Sequence, residues 1–98
     1  MTESFPREEK FGLTSQIRRA AVSVTANIAE GAARQSAKEF SYFLSNAQGS
    51  VSELATEILI ARRLGYVNEQ TYQLDNDELT SIGRMILGLA RSVKRRGA

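Results

Sequence analysis

From Leu13 onward the apolar positions recur at spacings of three and four, and three such stretches follow one another. The first runs from about Leu13 to Glu30 and meets Gly31, a residue suited to a left-handed helix cap. The second opens at Ser36-Ala37-Lys38-Glu39, where a serine hydroxyl can cap free amides and a glutamate can reach back. It continues to Leu64 and ends at Gly65. The third begins near Asn68, or after a break around Asp75-Asn76-Asp77, and continues to about Arg95. Leu44, Ala47, Val51, Leu54, Ile58 and Ala61 form one seam, and Leu79, Ile82, Ile86, Leu89 and Val93 another. Alternating three-four spacing is the mark of helices interlocking at shallow angles. With short connections, the pattern predicts an all-α antiparallel helical bundle: one domain over residues 1–98, with helices at about 13–30, 37–64 and 69–95. Gly49, Gly83 and Gly88 interrupt these helices, either as tolerated imperfections or as points of close helix approach.

The first helix differs from an ordinary surface helix, which has one apolar face and one charged face. At ~100° per residue, Leu13, Ile17, Ala21, Val24 and Ile28 share one face. Gln16, Arg19, Ser23, Asn27 and Glu30 form a polar stripe, and beyond it Val22, Ala26 and Ala29 make a second face of small apolar residues. The stripe is either satisfied within the chain, by Glu53, Glu57 or Arg34, or it sets the register of a contact between subunits. Three helices of a 98-residue chain hardly cover both apolar faces, so Val22, Ala26 and Ala29 are the expected oligomer interface.

Composition narrows the chemistry. Cysteine and histidine are both absent, which removes disulfides, thiol nucleophiles, the usual zinc ligands and the commonest proton shuttle. Glu30, Glu53 and Glu57 fit ion pairs with Arg19 or Arg34 better than a metal cluster, since bundle di-metal sites use Glu-x-x-His. Serine nucleophiles lack a base, and Gly31 and Gly65 stand alone rather than in a phosphate-cradling loop. No catalytic residue, metal or cofactor is expected. No apolar run approaches the ~20 residues of a membrane span, and no secretory leader is visible, so the expected location is the cytoplasm.

Net charge is only +2, but Arg84, Arg91, Lys94, Arg95 and Arg96 fall in a C-terminal stretch without one acidic residue. Arg84, Arg91 and Arg95 lie within ~40° of one another on the third helix, nearly opposite its apolar seam. Such cations favour a helix C-terminus through the dipole, or they form a sequence-independent site for RNA or DNA backbone. No aromatic residue interleaves with them, so base stacking is not indicated. Phe40 and Phe43 are expected in the core, with Tyr42 more exposed.

Leu13-Thr14-Ser15-Gln16-Ile17-Arg18-Arg19-Ala20-Ala21-Val22-Ser23-Val24, then Ala26-Asn27-Ile28-Ala29-Glu30-Gly31 and Arg34, resemble the 23S rRNA intervening-sequence proteins, a four-helix-bundle family. Gly49-Ser50, Glu53-Leu54 and Leu64-Gly65-Tyr66 continue the likeness, which covers about Phe5 to Arg95. The resemblance implies a non-catalytic homo-oligomer, with cyclic pentamers as the family's form. It also implies RNA or DNA, and a larger nucleic-acid enzyme such as a reverse transcriptase, as partners. Two departures stand out. Relatives usually carry proline where this chain has Thr25, and they carry a further helix ahead of the Phe5-Pro6 turn, where only four residues precede Phe5. The resemblance therefore implies a groove along the core, to be filled by an upstream segment, by a partner, or by closure of three helices.

Overall fold

In a computed structural model, which describes residues 2–9 and 12–97, three long helices carry the chain. They are α1 (Leu13–Ala32), α2 (Ala37–Arg63) and α3 (Glu69–Gly97), joined by residues 33–36 and 64–68. Two single-turn 3₁₀ segments, Thr2–Ser4 and Arg7–Glu9, precede them. Helix α2 is central. Both α1 and α3 pack along it, and they do not pack along each other. The result is an elongated layer of 47 × 24 × 15 Å rather than a closed bundle.

Local chemistry explains the helix ends. Ser36 caps α2, its hydroxyl accepting from the Glu39 amide at 3.0 Å. The expected return bond from Glu39 is not formed; its carboxylate lies 3.8 Å from Arg34 instead. At the other end Gly65 takes φ +78°, the Gly65 amide donates to the Arg62 carbonyl, and the Tyr66 amide donates to that of Ala61. This is the Schellman arrangement, which glycine enters without steric cost. Asn68 opens α3 by accepting from the Thr71 amide at 2.8 Å. No break occurs at Asp75-Asn76-Asp77, and α3 is continuous from Glu69.

Gly31 does not cap α1, contrary to the sequence expectation. The helix passes through it to Ala32 and ends at Ala33 in a right-handed conformation. Gly31 is buried, and its role is close approach: a Cβ there would lie 2.8 Å from the Phe43 Cβ and 3.0 Å from Phe40 Cδ1. The glycines inside α2 and α3 show no such need. A Cβ at Gly49 or Gly88 would meet open space, and at Gly83 only ordinary contact with Gln48 and Val51.

The core follows the α2 seam. Leu44, Ala47, Val51, Leu54, Ile58 and Ala61 are all buried, with Leu44, Ala47 and Ala61 fully so. From α1 come Leu13, Ile17, Ala20 and Val24, with Ile28 half-buried and Ala21 exposed. From α3 come Leu79, Ile86 and Val93, while Leu89 is half-buried and Ile82 exposed. The loss of Ile82 and Ala21 from the expected core has one cause: α1 and α3 each have a single helical neighbour. Phe5 is buried at the end of the layer, its ring 5.3 Å from that of Tyr66. Phe40 and Phe43 are half-buried, and Tyr42 is exposed as expected.

Candidate nucleic-acid interface

The antiparallel register of α2 and α3 positions the basic surface. Gln48 Nε2 donates to the Gly83 carbonyl at 2.9 Å, and a Cβ on Gly97 would collide with that of Ala37. Residues 40–52 of α2 therefore run beside residues 79–91 of α3, and neither stretch holds a carboxylate. Arg84, Arg91, Lys94, Arg95 and Arg96 are all exposed, and among the described residues none of the five is in an ion pair. Lys94 stands beside Lys38 and Ser41, lining one shallow depression together with Ala37 and Gly97. Arg96 turns the other way, toward Arg34, Gln35 and Phe40.

Lys38 and Arg34 thus join the C-terminal cations at one end of the layer, a grouping that sequence reasoning missed. The signal was present in principle. Once α2 and α3 are taken as an antiparallel pair with a short turn, counting back from it sets residue 37 near residues 94–97. Arg34 is partly neutralised, by Glu30 four residues earlier and by Glu39, and its guanidinium lies 5.1 Å from the Phe43 ring centre. Lys38 has no such neighbour among the described residues. On the α2 flank of this surface Ser41, Ser45, Ser52 and Thr56 follow one another at helical spacing, offering hydroxyls and no charge.

The polar stripe of α1 divides. Ser23 meets α2, its hydroxyl 2.8 Å from that of Ser50, and half-buried Asn27 donates from Nδ2 to the Ser23 carbonyl at 2.9 Å. The Ser23–Ser50 contact ties α1 to α2, while Asn27 bonds within α1. Gln16, Arg19 and Glu30 are exposed, and Glu30 pairs with Arg34. Val22, Ala26 and Ala29 are exposed on the outer side of α1, Val22 by 67%.

Two carboxylates stand out from the rest. Glu57 is buried in α2 with one oxygen lacking any hydrogen-bond partner. Its pKa is raised, first by desolvation and then by Glu53, with Arg19 opposing. Glu9 does the reverse. It accepts from the Tyr66 hydroxyl at 2.7 Å and from the Leu13 amide at 3.2 Å, and these bonds lower its pKa. It thereby fastens the start of α1 to the α2–α3 turn. Among the described residues no group of three His, Cys, Asp or Glu is placed to hold a metal ion. No described helix is long and apolar enough to cross a membrane.

No curated protein matches the chain at a significant level. A family profile does match, that of the 23S rRNA-intervening sequence protein, over residues 1–88. That span takes in all of α1 and α2, the turn after them and most of α3. With the three packed helices and the signature stretch from Leu13 to Arg34 in place, the chain belongs to the 23S rRNA-intervening sequence protein family.

Proposed function

We propose that this chain is a non-catalytic, self-assembling helical module that holds RNA or DNA by its phosphate backbone. The observation that carries the reading is the acid-free C-terminal run of α3. There Arg84, Arg91, Lys94 and Arg95 stand exposed with no carboxylate after Glu78, and Lys94 stands beside Lys38 and Ser41. Cations meant only to complement a helix dipole would sit in the last turn. Arg84 lies more than three turns before the end of α3 and gains nothing from that end. Unpaired cations along a ridge suit contact with successive phosphates, and the absence of interleaved aromatics makes that contact independent of sequence.

Assembly is the second part of the reading. Val22, Ala26 and Ala29 form an exposed face of small apolar side chains on α1, and a further copy of the chain covers it in a homo-oligomer of the pentameric kind that the family resemblance implies. Repetition of the basic surface around such an assembly raises the local field that draws in a polyanion. A larger nucleic-acid enzyme is a natural companion for such a factor, and the cytoplasm is its proposed location.

Binding to labelled RNA and DNA over a salt series tests the proposal. Affinity is expected to fall steeply with salt, and the slope to flatten when Arg84, Arg91 and Arg95 are changed to alanine. No binding at low salt would reject the nucleic-acid role and leave a protein-only scaffold. Ala26→Glu is expected to break the α1 contact, read as a drop in mass by light scattering.

A further inference from the structure

No aromatic residue stands on the α3 ridge, but one stands beside it on α2. Tyr42 is 62% exposed, and it lies ~150° around α2 from the middle of the Leu44–Ala61 seam, so helices packed on that seam leave its ring in solvent. It lines a shallow depression with Lys38, Arg34, Glu39 and Phe43. Lys38 also lines the neighbouring depression with Ser41 and Lys94. The two depressions therefore share a wall, and neither Lys38 nor Lys94 is in an ion pair among the described residues. Glu39 is the one carboxylate lining them, and it lies 3.8 Å from the Arg34 guanidinium. The register that pairs Gln48 with Gly83 and Ala37 with Gly97 sets Tyr42 level with Ala90 and exposed Arg91.

The Tyr42 ring is also held in place. It meets the Phe43 ring at 88°, with centres 5.2 Å apart. Phe43 is half-buried, carries the Arg34 guanidinium 5.1 Å from its own ring centre, and stands against Gly31 of α1. A ring fixed in this way loses little freedom when a flat group is laid on it. Cations alone favour a duplex, whose charge density is the higher. An aromatic ring among them favours an unpaired strand, because only an unpaired base is free to stack on it.

We propose that this surface takes single-stranded RNA or DNA, with an unpaired base stacked on Tyr42 and the adjoining phosphates on Lys38, Lys94 and Arg91. The proposal rests on the nucleic-acid reading above and narrows it to unpaired strands; it uses none of Val22, Ala26 and Ala29. Probes of equal length test it: an oligothymidylate, an abasic strand with the same phosphates, and a duplex. The wild-type chain is expected to bind the oligothymidylate on the order of tenfold more tightly than the abasic strand. Tyr42→Ala should remove that difference and leave the salt slope unchanged, since the ring carries no charge, whereas Tyr42→Trp should keep it. Lys38→Ala should weaken all the probes and flatten the slope. The chain has no tryptophan of its own, so the indole emission of the Tyr42→Trp chain reports stacking directly. It should be quenched by the oligothymidylate and unchanged by the abasic strand and the duplex. Equal affinity of the wild type for the oligothymidylate and the abasic strand would overturn the stacking proposal and leave the phosphate reading standing. So would indole emission unquenched by a bound oligothymidylate. Absence of binding to every probe at low salt would overturn both.

Discussion

Replacing Gly31 and Gly49 by alanine, one at a time, separates two uses of helical glycine. Gly49 lies mid-helix, where alanine gains about 1 kcal/mol in helix propensity, and Gly31 lies in the last turn of α1, where the gain is no larger. At Gly49 the new methyl meets nothing within 4 Å, and the gain stands alone. At Gly31 it comes within 2.8 Å of the Phe43 Cβ, 3.0 Å of Phe40 Cδ1 and 3.3 Å of the Phe40 carbonyl oxygen. A Cβ and a carbonyl are fixed to the backbone and cannot swing aside, so α1 and α2 must part. Overpacking of this kind costs about 1–3 kcal/mol. Because the propensity gain at Gly31 is no larger than at Gly49, Gly31→Ala falls below Gly49→Ala by at least that cost. For a chain of this size each kcal/mol moves the melting temperature by roughly 4–8 °C. Thermal unfolding followed by far-ultraviolet circular dichroism should therefore place Gly49→Ala above the wild type and Gly31→Ala at least about 4 °C below Gly49→Ala. Equal stabilisation of both would mean that α1 and α2 do not cross closely at Gly31.

Three further outcomes follow from the same contacts. Glu57→Gln is expected to stabilise the chain at neutral pH in urea titrations, because it removes a buried charge. The wild type itself should gain stability on mild acidification: the folded state holds the Glu57 proton more tightly, so stability falls as pH rises from the ordinary carboxylate value through the raised one. Tyr66→Phe should lower the melting temperature by freeing Glu9. Since the Glu9 pKa is depressed, the difference from wild type should be full above the ordinary carboxylate value and shrink as pH falls through the depressed one. Leu44→Ala, at a fully buried position on the central helix, should cost about 2–5 kcal/mol in the same titration.

What the sequence revealed depended on how local each cause was. The α2 seam was legible because its helix is flanked on both sides, so every three-four position is used. The Ser36 cap and the turn at Gly65 were legible because both are settled within a few residues. Gly31 misled because glycine at the end of a periodic run serves either a left-handed turn or a close approach, and the deciding neighbours, Phe40 and Phe43, belong to another helix. Asp75-Asn76-Asp77 suggested a break by its composition, yet α3 holds through it between the Asn68 cap and the burial of Leu79. Ile82 was placed in the core on spacing alone, and spacing does not say how many helices a face will meet. The five C-terminal cations were plain in the sequence, whereas Lys38 enters their company only through the register of two helices.

The same layer geometry ties assembly to binding strength. Arg84 to Arg95 spans on the order of 16 Å of helix, alongside which a nucleic-acid duplex presents about nine charges. One chain offers four ridge cations, with Lys38 beside them, and so leaves much of that charge unmatched. The exposed face of Val22, Ala26 and Ala29 lies on a different helix from the basic ridge, so copies added there multiply cations without using ridge residues. The logarithmic salt slope of binding, about 0.9 per phosphate neutralised on a duplex, should therefore depend on oligomer size. Ala26→Glu, which touches no ridge cation, should flatten that slope only as far as it reduces the mass of the bound species. A flattened slope with the mass unchanged would mean that the α1 face belongs to the nucleic-acid surface itself, and the division of the molecule into assembling and binding faces would fail.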